Sequence, residues 1–494
     1  MSRVLFIESG LRNEKLGIMY LSAALLNAGH ETRLCWLERE AIDEVIADFR
    51  PDYLAVSLVT GAHSSILSLA EELKIQYHLK VIAGGPHATF FADSIPPESV
   101  DYVVIGPGEQ AIVDIVEGMA GGRVVKYPLA DLEKLAFPDR ALFYRYPEFR
   151  DNPMKNLITC RDCPYSCSYC YNHTWKQMFS GQPHFLRKLS VTRVLEEINV
   201  LRRTYPLRQV LFIDDNFLFD RDWILEFCKR YTNEIGLPFL CSFSLNLLDE
   251  ALVRLLQETG LFMVNFALES ADPVVQREIL NRGHVTNGQV VAGIELLRKY
   301  GIKCRMQNMI GLPVRDSLAD ALNTLEFNRQ NRVDDSWVSI FQPYPNTRMA
   351  GYCAKNGFIP DDGESYADSF FDKSCLRIDH ADEIARLQKW WYFVIRYNLP
   401  ENVVRQLLKV RLTEAQGEAL QKLRFEYSRS YLYGLSMDNP QLDHDFRQLS
   451  AQYGEKAVFK RLAGFIQRFG IGAGLVEIML GLELPDLING LDKL

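Results

Sequence analysis

The chain has 494 residues, with 55 Lys and Arg against 63 Asp and Glu, and a net charge of −8. Apolar residues make up 48% and charged residues 24%, a balance that is typical of a folded globular protein and excludes a disordered or low-complexity chain. The acidic net charge gives no electrostatic reason to expect a nucleic-acid or anionic-membrane partner. Because the length is several times that of a common domain, we expect two or three domains.

The amino-terminal residues give no sign of a targeting segment. A short apolar stretch at 4–7 is followed by charged residues, which predicts a buried strand rather than a signal peptide. No apolar run approaches the roughly 20 residues of a membrane helix, so no membrane span is expected. Ten cysteines in this length are too sparse for a disulfide scaffold, so we expect a cytoplasmic protein.

Residues 1–125 alternate between short apolar strands and amphipathic helices. The predicted strands are 4–7, 54–58, 81–83 and 102–105, and the predicted helices include 19–28 and 64–76. Strands of this buried, unalternating kind favour a doubly wound, Rossmann-like α/β domain with a parallel sheet. In such a domain, ligands lie beyond the carboxyl ends of the strands.

Glycines follow the third and fourth of these predicted strands, at Gly84, Gly85, Gly106 and Gly108. At such positions the backbone of a parallel sheet can approach a ligand closely. The same glycines are also consistent with tight turns and nothing more. Their spacing alone leaves both interpretations open.

A second strand–helix alternation runs through residues 156–356, after a connector at 126–155 that is rich in Pro, Arg and aromatic residues. The predicted strands are 156–159, 209–213, 239–243, 262–267, 302–309 and 336–341. Six strands, each followed by a helix, predict a partial (β/α)6 barrel with its chemistry at the carboxyl ends of the strands. Residues 357–494 are predicted to form a helical cap and substrate region, because the pattern is helical from about residue 380 onward.

Four cysteines, Cys160, Cys163, Cys167 and Cys170, directly follow the first strand of the predicted barrel. A structural zinc site is one interpretation, but there is no second CxxC pair, and the two histidines that follow do not have zinc-finger spacing. The last three cysteines form a CxxxCxxC triplet, which can bind three irons of a [4Fe–4S] cluster and leave the fourth iron open. Cys160 lies outside the triplet and is expected to be a spare thiol or a neighbour of the site.

With Tyr169 as the aromatic residue before the last cysteine, the triplet resembles the motif of radical S-adenosylmethionine (SAM) enzymes. The resemblance implies that Cys163, Cys167 and Cys170 bind the cluster. It further implies that the open iron binds SAM, which an electron from the cluster cleaves to methionine and a 5′-deoxyadenosyl radical. A reductant such as flavodoxin or ferredoxin would supply that electron.

The ends of the later strands are similar to other elements of the same family. The positions that the resemblance places around SAM are Tyr169, Asp214, Asp215, Glu269, Ser270, Gly311 and Pro313. For the two aspartates, the alternative is that they cap the following helix. After the sixth strand, Asn346 stands where one large subgroup has the glycine of PxPGT, and both residue types tolerate a positive φ.

Residues 1–125 resemble the cobalamin-binding domain that many of these enzymes carry. The resemblance implies that cobalamin is bound by Leu16, Gly17, Gly84, Gly85, Pro86, His87, Gly106, Gly108 and Glu109. The family's cobalt-ligating histidine is absent from residues 8–13, so we expect no histidine on cobalt. His87 is expected to line the pocket of the cofactor tail or to pack structurally. A domain that no longer binds cobalamin is the alternative.

The resemblance implies a cobalamin-dependent radical SAM methyltransferase, acting on a small-molecule, lipid or peptide substrate. One SAM would methylate cobalamin, and a second would generate the radical that activates the substrate. The alternatives are a rearrangement, ring contraction or cyclisation with the same cofactors, or radical chemistry without cobalamin. A non-catalytic cobalamin or iron–sulfur sensor is disfavoured, because a sensor has no use for a complete SAM site.

Overall fold

The computed structural model describes residues 1–10, 13–359, 370–396 and 401–409, with a few further residues up to 425. The chain forms two compact units, Met1–Phe262 with Tyr344–Gly351 and Met263–Pro343 with Tyr352–Leu494. The helices that the sequence predicts beyond 425 lie outside the described residues. The domain boundaries drawn from the sequence stay predictions.

The first sheet has six parallel strands in the order β2-β1-β3-β4-β5-β6. Its strands are β1 (Arg3–Glu8), β2 (Glu31–Trp36), β3 (Tyr53–Ser57), β4 (Lys80–Gly84), β5 (Tyr102–Ile105) and β6 (Val124–Lys126). The helices along this part of the chain are α1 (Leu16–Asn27), α2 (Ile42–Phe49), α3 (His63–Tyr77), α4 (Gly85–Phe90) and α5 (Glu109–Val116). Because the strand order reverses direction on either side of β1, the sheet is doubly wound, and the predicted Rossmann-like α/β fold is confirmed.

The core of this sheet explains why its central strands were predictable. Apolar residues fill β1, β3 and β4 almost without interruption, and Leu5, Leu54 and Val81 are fully buried. Strands covered by helices on both faces need such uninterrupted apolar runs. β2 begins with polar residues that are only half-buried, so its sequence ETRLCW lacks this signal and was missed.

The second sheet also has six strands, in the order β12-β11-β10-β9-β8-β7. Its strands are β7 (Met154–Leu157), β8 (Gln209–Phe212), β9 (Phe239–Ser242), β10 (Leu261–Glu269), β11 (Lys303–Ile310) and β12 (Asp335–Ile340). Between and after them lie α8 (Asn172–Phe179), α9 (Val191–Thr204), α10 (Arg221–Glu234), α11 (Glu250–Thr259), α12 (Asn287–Lys299), α13 (Ser317–Asn331), α14 (Arg348–Lys355), α15 (Ala381–Arg396) and α16 (Glu401–Leu407). Sequential parallel strands separated by helices confirm the partial (β/α)6 barrel.

The helices of the barrel begin at side chains that accept hydrogen bonds from their first turns. Asp220 accepts from the backbone N–H of Trp223 at α10, and Asp249 accepts from Leu252 at α11. Such N-caps contribute about 1 kcal/mol each to helix stability. Between these helices and the strands lies a cluster of fully buried aromatic side chains that includes Phe212, Phe227 and Tyr231.

The connector contains two short helices, α6 (Arg140–Tyr144) and α7 (Pro147–Arg150). The buried Arg140 guanidinium pairs with Glu14 at 3.2 Å and with Glu197 of α9 at 2.8 Å. Arg140 also donates a hydrogen bond to the carbonyl oxygen of Asn156 in β7, at 2.7 Å. The connector therefore touches both the loop before α1 and the start of the second sheet.

In the second unit, α15 packs against the last strand. Trp391 is fully buried, and its indole N–H donates a hydrogen bond to the hydroxyl of Ser336 in β12, at 2.8 Å. This supports the helical character predicted for the described part of 357–494. Among the described residues, none of the helices has both the length and the apolar content that a membrane span requires.

Candidate active site

The cysteine segment leaves the carboxyl end of β7 and ends at the start of α8. Cys163 and Cys170 are half-buried, and Cys167 is buried. The backbone N–H of Cys170 donates to the carbonyl oxygen of Cys167 at 3.3 Å, which closes a tight turn. His173 reinforces the turn, because its Nδ1 lies 2.6 Å from the carbonyl oxygen of Cys170 and 3.2 Å from that of Cys167. Tyr169 lies within this turn and is half-buried.

The environment of Cys170 suits a metal-bound thiolate. Burial raises the pKa of its thiol to about 12. The backbone N–H of Asn172 donates to its sulfur at 3.4 Å, the kind of hydrogen bond that tunes iron–sulfur clusters. Among the described residues, no three His, Cys, Asp or Glu side chains converge on a single ion position. Three cysteines that each bind a different iron do not need to converge in this way.

Cys160 is engaged in its own turn. The backbone N–H of Asp162 donates to its sulfur at 3.3 Å, and burial raises the pKa of its thiol to about 12. The carboxylate of Asp162 accepts hydrogen bonds from the indole of Trp175 at 2.7 Å and from the backbone N–H of Leu186 at 2.8 Å. No sequence pattern indicates that Asp162 anchors the segment, because its partners are distant in the chain.

The two aspartates after β8 have different environments. Asp214 is buried and accepts hydrogen bonds from the backbone N–H and the hydroxyl of Thr159, the latter at 2.6 Å. Asp215 is exposed and accepts from the side-chain amide of Asn172 at 2.9 Å. Neither caps α10, because Asp220 does so, and the capping alternative is therefore wrong. Only Asp215 presents its carboxylate at the surface.

In the second unit, Glu269 ends β10 with a backbone strained for a non-glycine residue. Its φ is +71°, and the register between β10 and β11 shifts between Ala267 and Glu269. Strain of this kind concentrates at functional sites. The next residue, Ser270, is fully buried and donates to the carboxylate of Asp320 at 2.6 Å, so its hydroxyl shapes the turn from inside.

The turn after β11 carries the other two positions that the family resemblance singles out in this unit. Gly311 has a φ of +71°, and a Cβ there would lie 3.4 Å from side-chain atoms of Ile340 and Ile384. Pro313 is buried two residues later. The turn is therefore tightly packed, and a larger residue at Gly311 would be strained by both its backbone and its neighbours.

A cavity of about 570 Å³ lies at the carboxyl ends of β3, β4 and β5, within the first unit. Seven of the nine positions predicted to bind cobalamin line it, namely Leu16, Gly17, Gly84, Gly85, Gly106, Gly108 and Glu109. Residues from the cysteine segment and from the end of β8 line it as well, namely Arg161, Asp162 and Ile213. The cavity is thus shared by the first sheet and the start of the second.

The glycines around this cavity serve two purposes. At Gly17 an added Cβ would meet nothing within 4 Å, and at Gly84 it would meet only Val104, at 3.9 Å. At Gly85, with φ +88°, a Cβ would lie 3.1 Å from backbone atoms of Leu58. The absence of a side chain therefore leaves open space at Gly17 and Gly84, whereas at Gly85 it permits the turn itself.

Pro86 and His87 do not line the cavity. Pro86 lies in the first turn of the short helix α4, and His87 is buried, with Nδ1 at 3.0 Å from the hydroxyl of Thr60. The imidazole also stacks on His63 with 3.8 Å between ring centres, and burial lowers the pKa of His87 to about 4. His87 therefore packs as a neutral side chain, in line with the second of its two predicted roles.

His184, one of the two histidines after the cysteines whose spacing is unlike that of a zinc finger, lines the cavity. Its φ is +72°, and its Nδ1 lies 3.8 Å from the carboxylate of Asp131. No sequence pattern links His184 to the first sheet, so only the fold shows that this histidine reaches the cavity.

The charged pair of the cavity joins the first sheet to the cysteine segment. Arg161 lies 2.6 Å from the Oε1 atom of Glu109, and its guanidinium stacks over the ring of Tyr20 at 4.8 Å. Although burial acts in the opposite direction, Arg161 holds the pKa of Glu109 below its usual value. The second carboxylate oxygen, Oε2, is buried and has no hydrogen-bond partner among the described residues. It can accept a hydrogen bond from an N–H group of a ligand.

Two family models match the chain. The model described as a B12 binding domain matches residues 2–116, and that of the radical SAM superfamily matches residues 157–326. An uncharacterized methyltransferase of Pyrococcus horikoshii is 24% identical over 71% of this chain and 80% of its own length. The cytidylyl-2-hydroxyethylphosphonate methyltransferase of Streptomyces wedmorensis is 21% identical over 71% of this chain and 80% of its own length.

Among solved structures, the radical SAM methyltransferase TsrM from Kitasatospora setae, with cobalamin and a [4Fe–4S] cluster bound, has a TM-score of 0.56. It is 16% identical to this chain, and the match covers 72% of this chain and 78% of TsrM. At this identity, the likeness concerns the fold alone.

A B12-binding domain followed by a radical SAM domain defines an enzyme that uses a [4Fe–4S] cluster, SAM and cobalamin. The chain combines a B12 binding domain with a domain of the radical SAM superfamily, as the resemblance in the sequence implied. The fold class, enzyme class and cofactors predicted from the sequence are confirmed. An enzyme of this class also needs a substrate and a reductant.

Proposed function

We propose that the protein transfers a methyl group to an unactivated centre of a small-molecule, lipid or peptide substrate. The observation that carries the proposal is the shared cavity, which is lined by Gly17 and Gly84 of the first region and by Arg161 and Asp162 of the cysteine segment. Methyl transfer between two cofactor sites requires them to be neighbours, because proximity lowers the entropic part of the barrier. The methyltransferase names of the relatives support the same reaction.

Cys163, Cys167 and Cys170 are the ligands of the cluster in this proposal, and Cys160 is not. A cluster held by these thiols would supply the electron for SAM cleavage, and bound cobalamin would carry the methyl group. The chain's part is to fix the three thiols on one turn. His173 and the N–H of Asn172 contribute to this by bonding to carbonyl oxygens and to the sulfur of Cys170.

For SAM, we assign the contacts to Tyr169, Asp215, Glu269, Gly311 and Pro313, with Asp214 and Ser270 behind them. The exposed carboxylate of Asp215 is the partner of the SAM ammonium, because a charge-assisted hydrogen bond favours that pairing. Ser270 acts through the turn after β10, since its hydroxyl is buried against Asp320.

For cobalamin, the fit rests on the open side of the cavity and on Glu109. Gly17 and Gly84 leave space beside the backbone in which a flat ring can lie. The buried Oε2 of Glu109 can accept a hydrogen bond from an amide on the rim of that ring. Gly85, Gly106, Gly108 and Leu16 complete the wall, while Pro86 and His87 belong to α4 and do not line the cavity.

Methyl transfer is tested by anaerobic reconstitution, followed by incubation with SAM, dithionite and candidate substrates. Release of 5′-deoxyadenosine together with S-adenosylhomocysteine supports methyl transfer. Release of 5′-deoxyadenosine without S-adenosylhomocysteine, in the presence of a consumed substrate, supports the alternative of rearrangement or cyclisation. Cys167→Ala is the matched control and should give neither product. Absence of both products from the cluster-loaded wild type would reject the proposed enzyme.

A flavodoxin or ferredoxin is the reductant we propose, and the cytoplasm is the proposed compartment. All ten cysteines lie among the described residues, and none is joined in a disulfide. Reduced thiols and an oxygen-sensitive cluster both suit a reducing compartment. Reduction of the reconstituted cluster by flavodoxin with its reductase, in place of dithionite, tests the reductant.

A further inference from the structure

We propose that Asp214 and Lys188 form a positioning pair that fixes the start of the cysteine segment and sets the charge balance beside the cluster. This inference rests on the proposed function, because it takes the cysteine triplet as the cluster site. It assigns Lys188 a role that the sequence did not indicate. It also separates Asp214 from Asp215, since Asp214 acts through Thr159 rather than by touching SAM.

The geometry around Thr159 carries the first part of the proposal. Thr159 is fully buried at the junction between β7 and the cysteine segment. Its backbone N–H lies 3.1 Å from both carboxylate oxygens of Asp214, and its hydroxyl donates to Oδ1 at 2.6 Å. Its carbonyl oxygen accepts from the backbone N–H of Leu189 at 2.7 Å. Every polar group of the residue before Cys160 is therefore bound, so the direction in which the segment leaves the strand is fixed.

Lys188 carries the second part. Its ammonium group donates to the hydroxyl of Thr159 at 2.8 Å and lies 3.9 Å from the carboxylate of Asp214. Both charged side chains are only 1% exposed. The rings of Phe217, Phe219 and Trp223 surround the ammonium at 4.3 to 5.1 Å from the ring centres. Cation–π contacts of this kind compensate part of the cost of removing the charge from water.

A buried ion pair is poor evidence of stabilisation, because desolvation offsets most of the attraction. Burial raises the pKa of Asp214 and lowers that of Lys188, while each group opposes the shift of the other. If the pair served packing alone, two apolar side chains in place of Asp214 and Lys188 would serve as well. The retained charges are therefore better explained by what they do to the neighbouring segment.

The field of the pair reaches that segment. Beyond the effect of burial, Asp214 raises the pKa of the Cys160 thiol and Lys188 lowers it. The two charges therefore have opposing effects at the residue where the cysteine segment begins. Because the potential of an iron–sulfur cluster depends on nearby charge, removing either one alone should shift it.

The test uses the full-length reconstituted protein and three variants. Asp214→Asn keeps the size of the side chain and its oxygen acceptor, Lys188→Met keeps the length of the stem, and the double variant removes both charges. The measurements are iron per chain, the midpoint potential from an EPR-monitored redox titration, and the affinity for SAM. Asp215→Asn is the comparison for SAM binding.

We expect Asp214→Asn to raise the potential, Lys188→Met to lower it, and the double variant to return towards the wild type. Asp214→Asn should change SAM affinity by less than about 3-fold, whereas Asp215→Asn should weaken it by at least about 10-fold. If a single variant does not retain the cluster and the double variant does, the requirement for charge balance is supported.

Equal losses of SAM affinity in Asp214→Asn and Asp215→Asn would overturn the positioning role. Shifts of the same sign in both single variants, or no shift in either, would overturn the charge balance. Loss of the cluster in all three variants would also overturn it, since the double variant keeps the pair neutral. The proposed function is judged separately, by the products of the wild type.

Discussion

The cysteine segment and the cavity of the first sheet both lie at carboxyl ends of parallel strands, but they are built in opposite ways. In the cysteine segment, buried side chains bond to the backbone, as Asp214 does to Thr159 and Asp162 does to Leu186. At the cavity, space exists because side chains are absent at Gly17 and Gly84. A catalytic cluster must be fixed in place, whereas a large planar cofactor must be admitted.

This contrast predicts different responses to mutation. Changes at the cysteine segment remove ligands or partners and should affect one cofactor completely. Changes at the cavity add atoms and should exclude the other cofactor while leaving the first untouched. The two regions meet at residues of the cavity wall such as Arg161 and Glu109.

The largest expected effect is the loss of the cluster in Cys167→Ala. Removal of one of three ligands should abolish the broad visible absorption and all 5′-deoxyadenosine formation, because the two remaining thiols cannot hold the cluster whose open iron would bind SAM. Iron per chain and product release measure this loss.

Cys160→Ala is the matched control, since its sulfur accepts a hydrogen bond from Asp162 within its own turn. We expect it to keep the cluster and its activity. A Cys160→Ala protein that loses iron as completely as Cys167→Ala would show that the ligand assignment is mistaken.

The next effect is expected at the cavity. Gly17→Phe places a ring in the space beside α1 and should weaken hydroxocobalamin binding by at least about 100-fold, which corresponds to about 2.7 kcal/mol. Binding is measured by absorbance after gel filtration, and the cluster should stay intact. Gly122→Phe is the control, because Gly122 is exposed, does not line the cavity and has nothing within 4 Å of its Cβ position.

The same loaded protein tests the coordination of cobalt. We expect the EPR spectrum of the cob(II)alamin form to lack superhyperfine splitting from an axial nitrogen. If a three-line nitrogen pattern is seen, His184 is the residue to replace, because it lines the cavity. A pattern that disappears in His184→Ala would contradict the prediction and identify the ligand.

A smaller effect is expected for SAM binding by the exposed carboxylate. Asp215→Asn removes a charged hydrogen bond worth roughly 1.5–3 kcal/mol, so SAM affinity should fall about 10- to 150-fold with the cluster retained. Equilibrium binding of SAM to the reconstituted protein measures this change. Asp222→Asn, an exposed aspartate in the first turn of α10, is the control and should not alter SAM affinity. Unchanged affinity in Asp215→Asn would remove this carboxylate from the SAM site.

The sequence was most informative where a pattern is local. The buried strands β1 and β11 were predicted within two residues of their ends, because an apolar run marks β1 and apolar residues alternate with polar ones along most of β11. β2 was missed because its first half is polar and only partly buried. Asn346 has a φ of +59°, a conformation that Asn tolerates as Gly does, and this tolerance is a property of single residues.

Contacts between distant residues could not be predicted in the same way. Thr159 and Asp214 are 55 positions apart, and the reach of His184 into the cavity depends on the path of the whole loop before it. The glycine pattern marked the right turns. The pattern could not show that a side chain at Gly85 would clash with the backbone of Leu58, whereas one at Gly84 would enter open space.

The smallest expected effect concerns Asn346, which combines both kinds of information. Its side-chain amide donates to the carbonyl oxygen of Phe90 at 2.7 Å, a contact that the glycine of related sequences cannot make. Asn346→Gly keeps the positive φ but loses this exposed hydrogen bond, so it should cost about 0.5–1 kcal/mol of stability. Asn346→Ala also loses the bond and adds left-handed strain of about 1–2 kcal/mol, so it should be less stable than Asn346→Gly.

Thermal unfolding of the wild type and the two variants measures the order of their stabilities. Since Thr174 bonds to the backbone oxygen of Asn346, that contact is available in both variants and does not affect the comparison. An alanine variant as stable as the glycine variant would show that the strain is relieved by movement of the turn.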